Sequence, residues 1–270
     1  MGGISIPSTM KIVDSEFYED KQRYDSRVEK LNDLFELKDS SSKFIKDHPP
    51  TFFSGDLRKK LSFILIGINP GYSNAYNEKE RKLRSETRKE GGQFSDCFEI
   101  FSIFRKHKLP RYYSNYLKIL HGSNELTNGD RKIDFCEEHL VNVDAFPFHS
   151  SNFIIDVNSL TPEQIKFLFH YWNIAKDLIE QIDADYILIM GSHNYRLLLL
   201  DKEVGYENLE EIEKIPKHKN NNSYIHLYRF NLRGKKGLAI DNFIGGSNRT
   251  LTREDILNIR KVIQREIKGK

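Results

Sequence analysis

The chain has 270 residues, 38% of them apolar and 30% charged, with a formal net charge of +3. That length suits one enlarged α/β domain as well as two small ones. Two cysteines, Cys97 and Cys136, with no CxxC pair and no zinc-type histidine spacing, argue against a disulfide framework or a cysteine metal site, and no run approaches the ~20 apolar residues of a membrane helix.

The amino terminus lacks a charged-then-apolar leader pattern, so a cytoplasmic protein is expected. Charge is unevenly spread. Asp14 to Asp39 holds nine acidic and five basic residues, whereas Arg105 to Lys118 holds five basic residues, no acidic one, and Tyr112, Tyr113 and Tyr116. A second basic cluster, Arg229, Arg233, Lys235 and Lys236, also lacks acidic neighbours in sequence. Basic residues interleaved with aromatics suit a nucleic-acid backbone and unstacked bases, and a solvated basic face is the plainer reading of either cluster.

In chain order, residues 1–58 read as a helical amino-terminal extension, with Phe17, Tyr24, Val28, Leu31, Leu34 and Phe35 near helical spacing. Ser62 to Ile68 reads as a strand buried on both faces, since Phe63 to Ile66 is continuously apolar. It stops at Gly67, and the loop Gly67-Ile68-Asn69-Pro70-Gly71 carries one polar side chain, Asn69. Pro70 biases Asn69 toward extended backbone and Gly71 permits close approach by a ligand. The charged stretch 77–93 reads as an insertion, of the lid or binding-loop kind or else disordered. Phe94 then opens a helix. His139 to Phe146 is a second strand carrying two polar residues, Asn142 and Asp144, whose burial is costly unless they bond something.

Thr161-Pro162-Glu163-Gln164 is a capping box that starts a helix reaching about Ile182, with Trp172 on its apolar stripe. Asp185 to Met190 is a third strand, ending at Gly191. After an acidic insertion at 203–222, Ser223 to Phe230 and Gly237 to Asn242 read as strands, and a helix capped by Thr252 closes the chain. An α/β fold is expected, a three-layer α/β/α sandwich around a mainly parallel sheet of four strands, with the site at the strand carboxyl ends.

Gly67-Ile68-Asn69-Pro70-Gly71 with Ala75-Tyr76 resembles the first motif of the uracil-DNA glycosylase superfamily, most closely its thymine and mismatch-specific branch. The resemblance runs discontinuously over 61–267, so a glycosylase domain is expected at 59–270. It implies that Asn69 is the catalytic residue, orienting water, and that Asn142, with Asp144 as second candidate, reads the polar edge of the base. Phe94 or Tyr76 would stack on the base, and Tyr72 lies where strict uracil enzymes place a blocking aromatic. The family's His-Pro-Ser is absent. Asn242 stands where some branches use Asn, and Ile244 or Arg249 would be the wedge that fills the duplex. Arg111 and Lys235 are the phosphate-contact candidates in the two basic clusters. The four-cysteine iron–sulfur branches are excluded by the cysteine count.

The resemblance implies a monofunctional glycosylase that acts on DNA, duplex or single-stranded, without metal or organic cofactor and without a membrane. It would leave an abasic site after removing uracil, mismatched thymine or a modified cytosine, a hypermodified one of invading DNA included. The alternatives are a non-catalytic DNA-binding module of the same fold, or an unrelated α/β hydrolase. The hydrolase lacks support, because the chain has no GxxxxGK[ST] loop and no GxSxG elbow.

Overall fold

A computed structural model describes residues 4–39, 42–68, 70–71, 74–121, 129–151, 153, 159–205, 208–218, 220–242 and 251–269, with only the backbone course at 74–77, 193, 220 and 221. These residues form two compact units, each assembled from separated stretches. The first comprises 1–60, 66–103 and 141–183, and the second 61–65, 104–140 and 184–270.

In the first unit, α1 (Ser8–Glu19) and α2 (Lys21–Leu34) turn Met10, Val13, Tyr24, Val28 and Leu31 inward. Asp20 separates the two helices, its side chain accepting from the Arg23 amide at 3.2 Å. The short β1 (Phe53–Ser54) pairs antiparallel with β3 (Leu140–Asp144), all of whose residues are buried. The strand expected at 139–146 is therefore shorter at both ends. The backbone instead leaves the strand at Ala145, whose amide bonds to the carbonyl of Gly67.

The charged stretch expected as a lid loop is α3 (Asn74–Gly91). Lys, Arg and Glu are good helix formers, no proline interrupts them, and Glu80 and Arg84 meet across one turn at 2.8 Å. α4 (Ser95–Phe98) and α5 (Ile100–Arg105) follow. α8 (Pro162–Gln181) has its expected capping box, and Trp172 is fully buried in it.

In the second unit, β4 (Ala184–Met190) runs parallel to β7 (Lys235–Ile240). β7 pairs antiparallel with β6 (Asn220–Leu232), and β6 with β5 (Glu210–Lys217). Gly237 allows close packing, because a Cβ there would lie 2.2 Å from the Phe230 ring. α6 (Arg111–Leu120), α7 (Gly129–His139), α9 (Ser192–Leu200) and α10 (Arg253–Lys268) complete the unit.

β2 (Leu61–Gly67) crosses from the second unit into the first, and the strand order is β1-β3-β2-β4-β7-β6-β5. The expectation of four mainly parallel strands is thus corrected to a mixed sheet of seven strands among the described residues. Two causes account for the two strands beyond the five read along the chain. The stretch 203–222, taken as an insertion, supplies β5 and the start of β6, and the two-residue β1 is too short for alternation to reveal. No helix among the described residues is long and apolar enough to cross a membrane.

Candidate functional site

β2 ends where its side chains must yield space. Ile64, Leu65 and Ile66 are buried apolar residues, and a Cβ on Gly67 would stand 2.3 Å from Oδ1 of Asp144 and 3.6 Å from Oδ1 of Asn142. Glycine is needed there because two polar side chains of β3 lie against its Cα. Asn142 and Asp144 are two apart on a strand, so they project from the same face. The Asn142 Nδ2 donates to Asp144 Oδ2 at 2.8 Å, and the two residues are 5% and 4% exposed.

Burial pushes the Asp144 carboxyl up to about 7, while the Asn142 hydrogen bond and the Arg84 guanidinium pull it down. Arg84 is itself buried, donating to Glu80 at 2.8 Å and to Asp96 at 3.1 Å. A proton is therefore held near neutrality at a strand end, a place where titratable groups serve chemistry or recognition.

The loop after β2 is laced to the segment after β3. The amide of Phe146 donates to the Ile68 carbonyl at 2.7 Å, that of Ser150 to the Pro70 carbonyl at 3.3 Å, and Gly71 forms a parallel bridge with Ser150. His149 completes the lacing. Its Nδ1 lies 3.2 Å from the Gly71 carbonyl and its Nε2 2.9 Å from Thr51 Oγ1. A carbonyl only accepts, so Nδ1 carries the proton and Nε2 accepts from the threonine hydroxyl. The His48 ring packs on His149 with centroids 3.8 Å apart. Burial lowers both imidazoles, His48 to about 4 and His149 well below its ordinary value, so both are neutral at pH 7.

Of the residues singled out in the sequence, the first unit brings Asn142 and Asp144 together. Phe94 precedes α4 with φ at 63°, a left-handed conformation costly for a residue with a large side chain, and is 2% exposed against Phe53 at 5.9 Å. Asn69, Tyr72, Ile244 and Arg249 lie outside the described residues, as does the side chain of Tyr76. Asn242, Arg111 and Lys235 belong to the second unit. There the Asn242 Nδ2 donates to Asp241 Oδ1 at 2.6 Å, Arg111 is the exposed first residue of α6, and Lys235 begins β7 half-buried.

Both basic clusters differ from their sequence reading. Tyr113 and Tyr116 are buried, so they are core residues. Arg229 pairs with Glu210 and Glu266, and Arg233 with Glu203, acidic partners distant in sequence. His48, Thr51, Arg84 and His149 escaped sequence reasoning. His149 left one signal, a histidine ending the apolar run Phe146-Pro147-Phe148, where burial demands partners.

Among the described residues no group of three or more His, Cys, Asp and Glu could hold a metal ion. A groove of about 940 Å³ beside α2 is lined by residues of both charges, including Asp20, Arg23, Arg27 and Glu163, and none of the residues above lines it. No protein-family model and no curated protein matches the chain.

Proposed function

We propose that the chain is a monofunctional DNA glycosylase that flips an altered pyrimidine out of DNA and hydrolyses its N-glycosidic bond, leaving an abasic site. The observation that carries this reading is the buried Asn142–Asp144 pair, set against Gly67 at the end of β2. Cleaving this bond develops positive charge on the sugar and negative charge on the leaving base, so the site needs a placed water and groups aimed at the base. Asn69 would orient the water through its carbonyl, since an amide does not titrate near neutrality. Asn142 would read the base edge, with Phe94 or Tyr76 stacking on the ring. Strain at the buried Phe94 supports a role for it beyond filling space.

Charge supports a nucleic-acid partner. The second unit holds 23 basic and 16 acidic residues, the first 19 and 23, so the excess that meets phosphate lies in the unit of Arg111 and Lys235. In this reading the sheet is the middle layer of an α/β/α sandwich. The base is uracil, mismatched thymine or a modified cytosine, and hypermodified cytosines of foreign DNA would make the enzyme a defence.

The test is alkali-induced cleavage of labelled oligonucleotides carrying each base, with natural protein and Asn69→Ala. Cleavage at one base that disappears in the variant supports the proposal and names the substrate. Intact oligonucleotides that the protein still binds would refute catalysis and leave a DNA-binding module.

A further inference from the structure

Several arginines of the second unit take carboxylates from remote segments. Arg105 pairs with Asp134 and Glu137 of α7, Arg229 with Glu210 and Glu266, Arg233 with Glu203, and Arg265 with Glu213. Arg111, Lys118 and Lys132 are treated differently. Among the described residues these three have no ion-pair partner, and the charges that act on Lys118 are the other two cations. Burial, and then Arg111 and Lys132, hold the Lys118 ammonium below its ordinary value. Arg111 and Lys118 are seven residues apart on α6, so they share one face, two turns and about 10 Å apart along the axis. Lys132 joins them from α7.

We infer that Arg111, Lys118 and Lys132 form a docking surface on α6 and α7 for the phosphates of one DNA strand. The inference rests on the reading of the chain as a protein that acts on DNA, and it names residues that grip the backbone. Like charges gathered without a carboxylate repel one another, and a polyanion removes that cost while releasing its own counterions. Lys118 is set before binding. Its Nζ donates to Oδ1 of Asn115 at 2.9 Å, and Asn115 is 1% exposed, so little side-chain freedom is lost when an anion arrives. Arg111 stands at the positive end of the α6 dipole, where the first turn has no acidic residue and no capping side chain.

The spread of the charges selects a strand over a single phosphate. About 10 Å along α6 matches about three 3.4 Å steps of one DNA strand. The exposed large apolar residues Ile12, Tyr18, Tyr224 and Leu257 lie on neither helix, so among the described residues the surface has no such anchor for a lipid interface. The basic stretch 105–118 thus divides its labour. Arg105 is neutralised by α7, Tyr113 and Tyr116 fill the core, and Arg111 and Lys118 are left for the backbone. Phosphate contacts carry no sequence information, so this surface takes duplexes of any sequence.

The test is the salt dependence of binding to a labelled duplex of ordinary bases between about 50 and 200 mM salt. Each phosphate contact adds about 0.9 to the slope of log affinity against log salt. Arg111→Gln, Lys118→Gln and Lys132→Gln should therefore each lower the slope by about 0.9, and the triple variant by about 2.7. Arg111→Lys and Lys132→Arg keep the charge and should keep the slope. Melting temperatures check folding, and if Lys118→Gln does not fold, the Arg111 and Lys132 double variant decides, with an expected drop of about 1.8. A natural slope in the glutamine variants, or a natural protein that does not bind the duplex, would overturn the surface. So would binding to phosphatidylserine vesicles that the triple variant loses while its duplex slope stays intact. Excision is scored separately. A protein that grips the duplex through these residues and removes no base refutes the glycosylase and leaves the surface standing, whereas excision with an unchanged slope in the triple variant refutes the surface alone.

Discussion

His149 Nδ1 donates to the carbonyl oxygen of Gly71 across 3.2 Å, joining the exit of one strand to the exit of another. The bond requires a neutral ring of one tautomer, because Nε2 must accept from Thr51. The glycosylase reading places Asn69 in the loop that His149 anchors, so the histidine would position catalysis without touching substrate.

Acid should destabilise the protein through these rings. His48 is held to about 4 and His149 well below 6.5, so as pH falls below 6.5 the unfolded chain takes up protons that the folded chain refuses. This contribution is fully present above pH 6.5 and is lost on the way down to about pH 4, about 3 kcal/mol for His48 alone. Denaturant titrations at pH 7 and pH 5 should show the loss, and His149→Gln, which keeps a donor for Gly71, should show less of it.

Asp144 acts in the opposite sense. Its folded pKa of about 7 lies above the ordinary 3.8, so the folded state holds a proton that the unfolded state releases, and stability falls as pH rises between those values. Asp144→Asn should therefore stabilise the protein at pH 8, by up to about 4 kcal/mol, and not at pH 3.5. A melting temperature at pH 8 that is unchanged or lower in the variant would contradict this.

Gly67→Ala sets a methyl group 2.3 Å from Asp144 Oδ1 and should cost about 1–3 kcal/mol, as overpacking does. The damage should be specific to that neighbour. In a double-mutant cycle with Asp144→Ala, which removes the obstructing oxygen, the two changes should be non-additive by more than about 0.5 kcal/mol in chemical denaturation.

Arg84→Met leaves Asp96 and Glu80 without their shared buried partner and should destabilise by about 3–5 kcal/mol. It also removes the positive charge that pulls Asp144 down, so the Asp144 titration should move upward in pH. Following that titration by carbon-detected NMR checks the second effect apart from stability.

Local patterns carried much of this fold. The apolar run 63–66 and the Gly67 after it placed β2 and its exit, and the Thr161 and Thr252 capping boxes placed the starts of α8 and α10, because periodicity and caps are properties of neighbouring residues. The expectation that Asn142 and Asp144 need partners was likewise legible, since polar groups in a buried strand announce a debt. Their bonding to each other across 2.8 Å, with an oxygen against Gly67, was not. It depends on the neighbour that β3 meets, and backbone bonds that any sequence can make join Ala145 to Gly67, 78 positions earlier in the chain. The same holds for His149, Thr51 and Gly71, and for Arg229 with its distant glutamates. Chain chemistry named the groups, and packing of remote segments chose their partners and hence their charge.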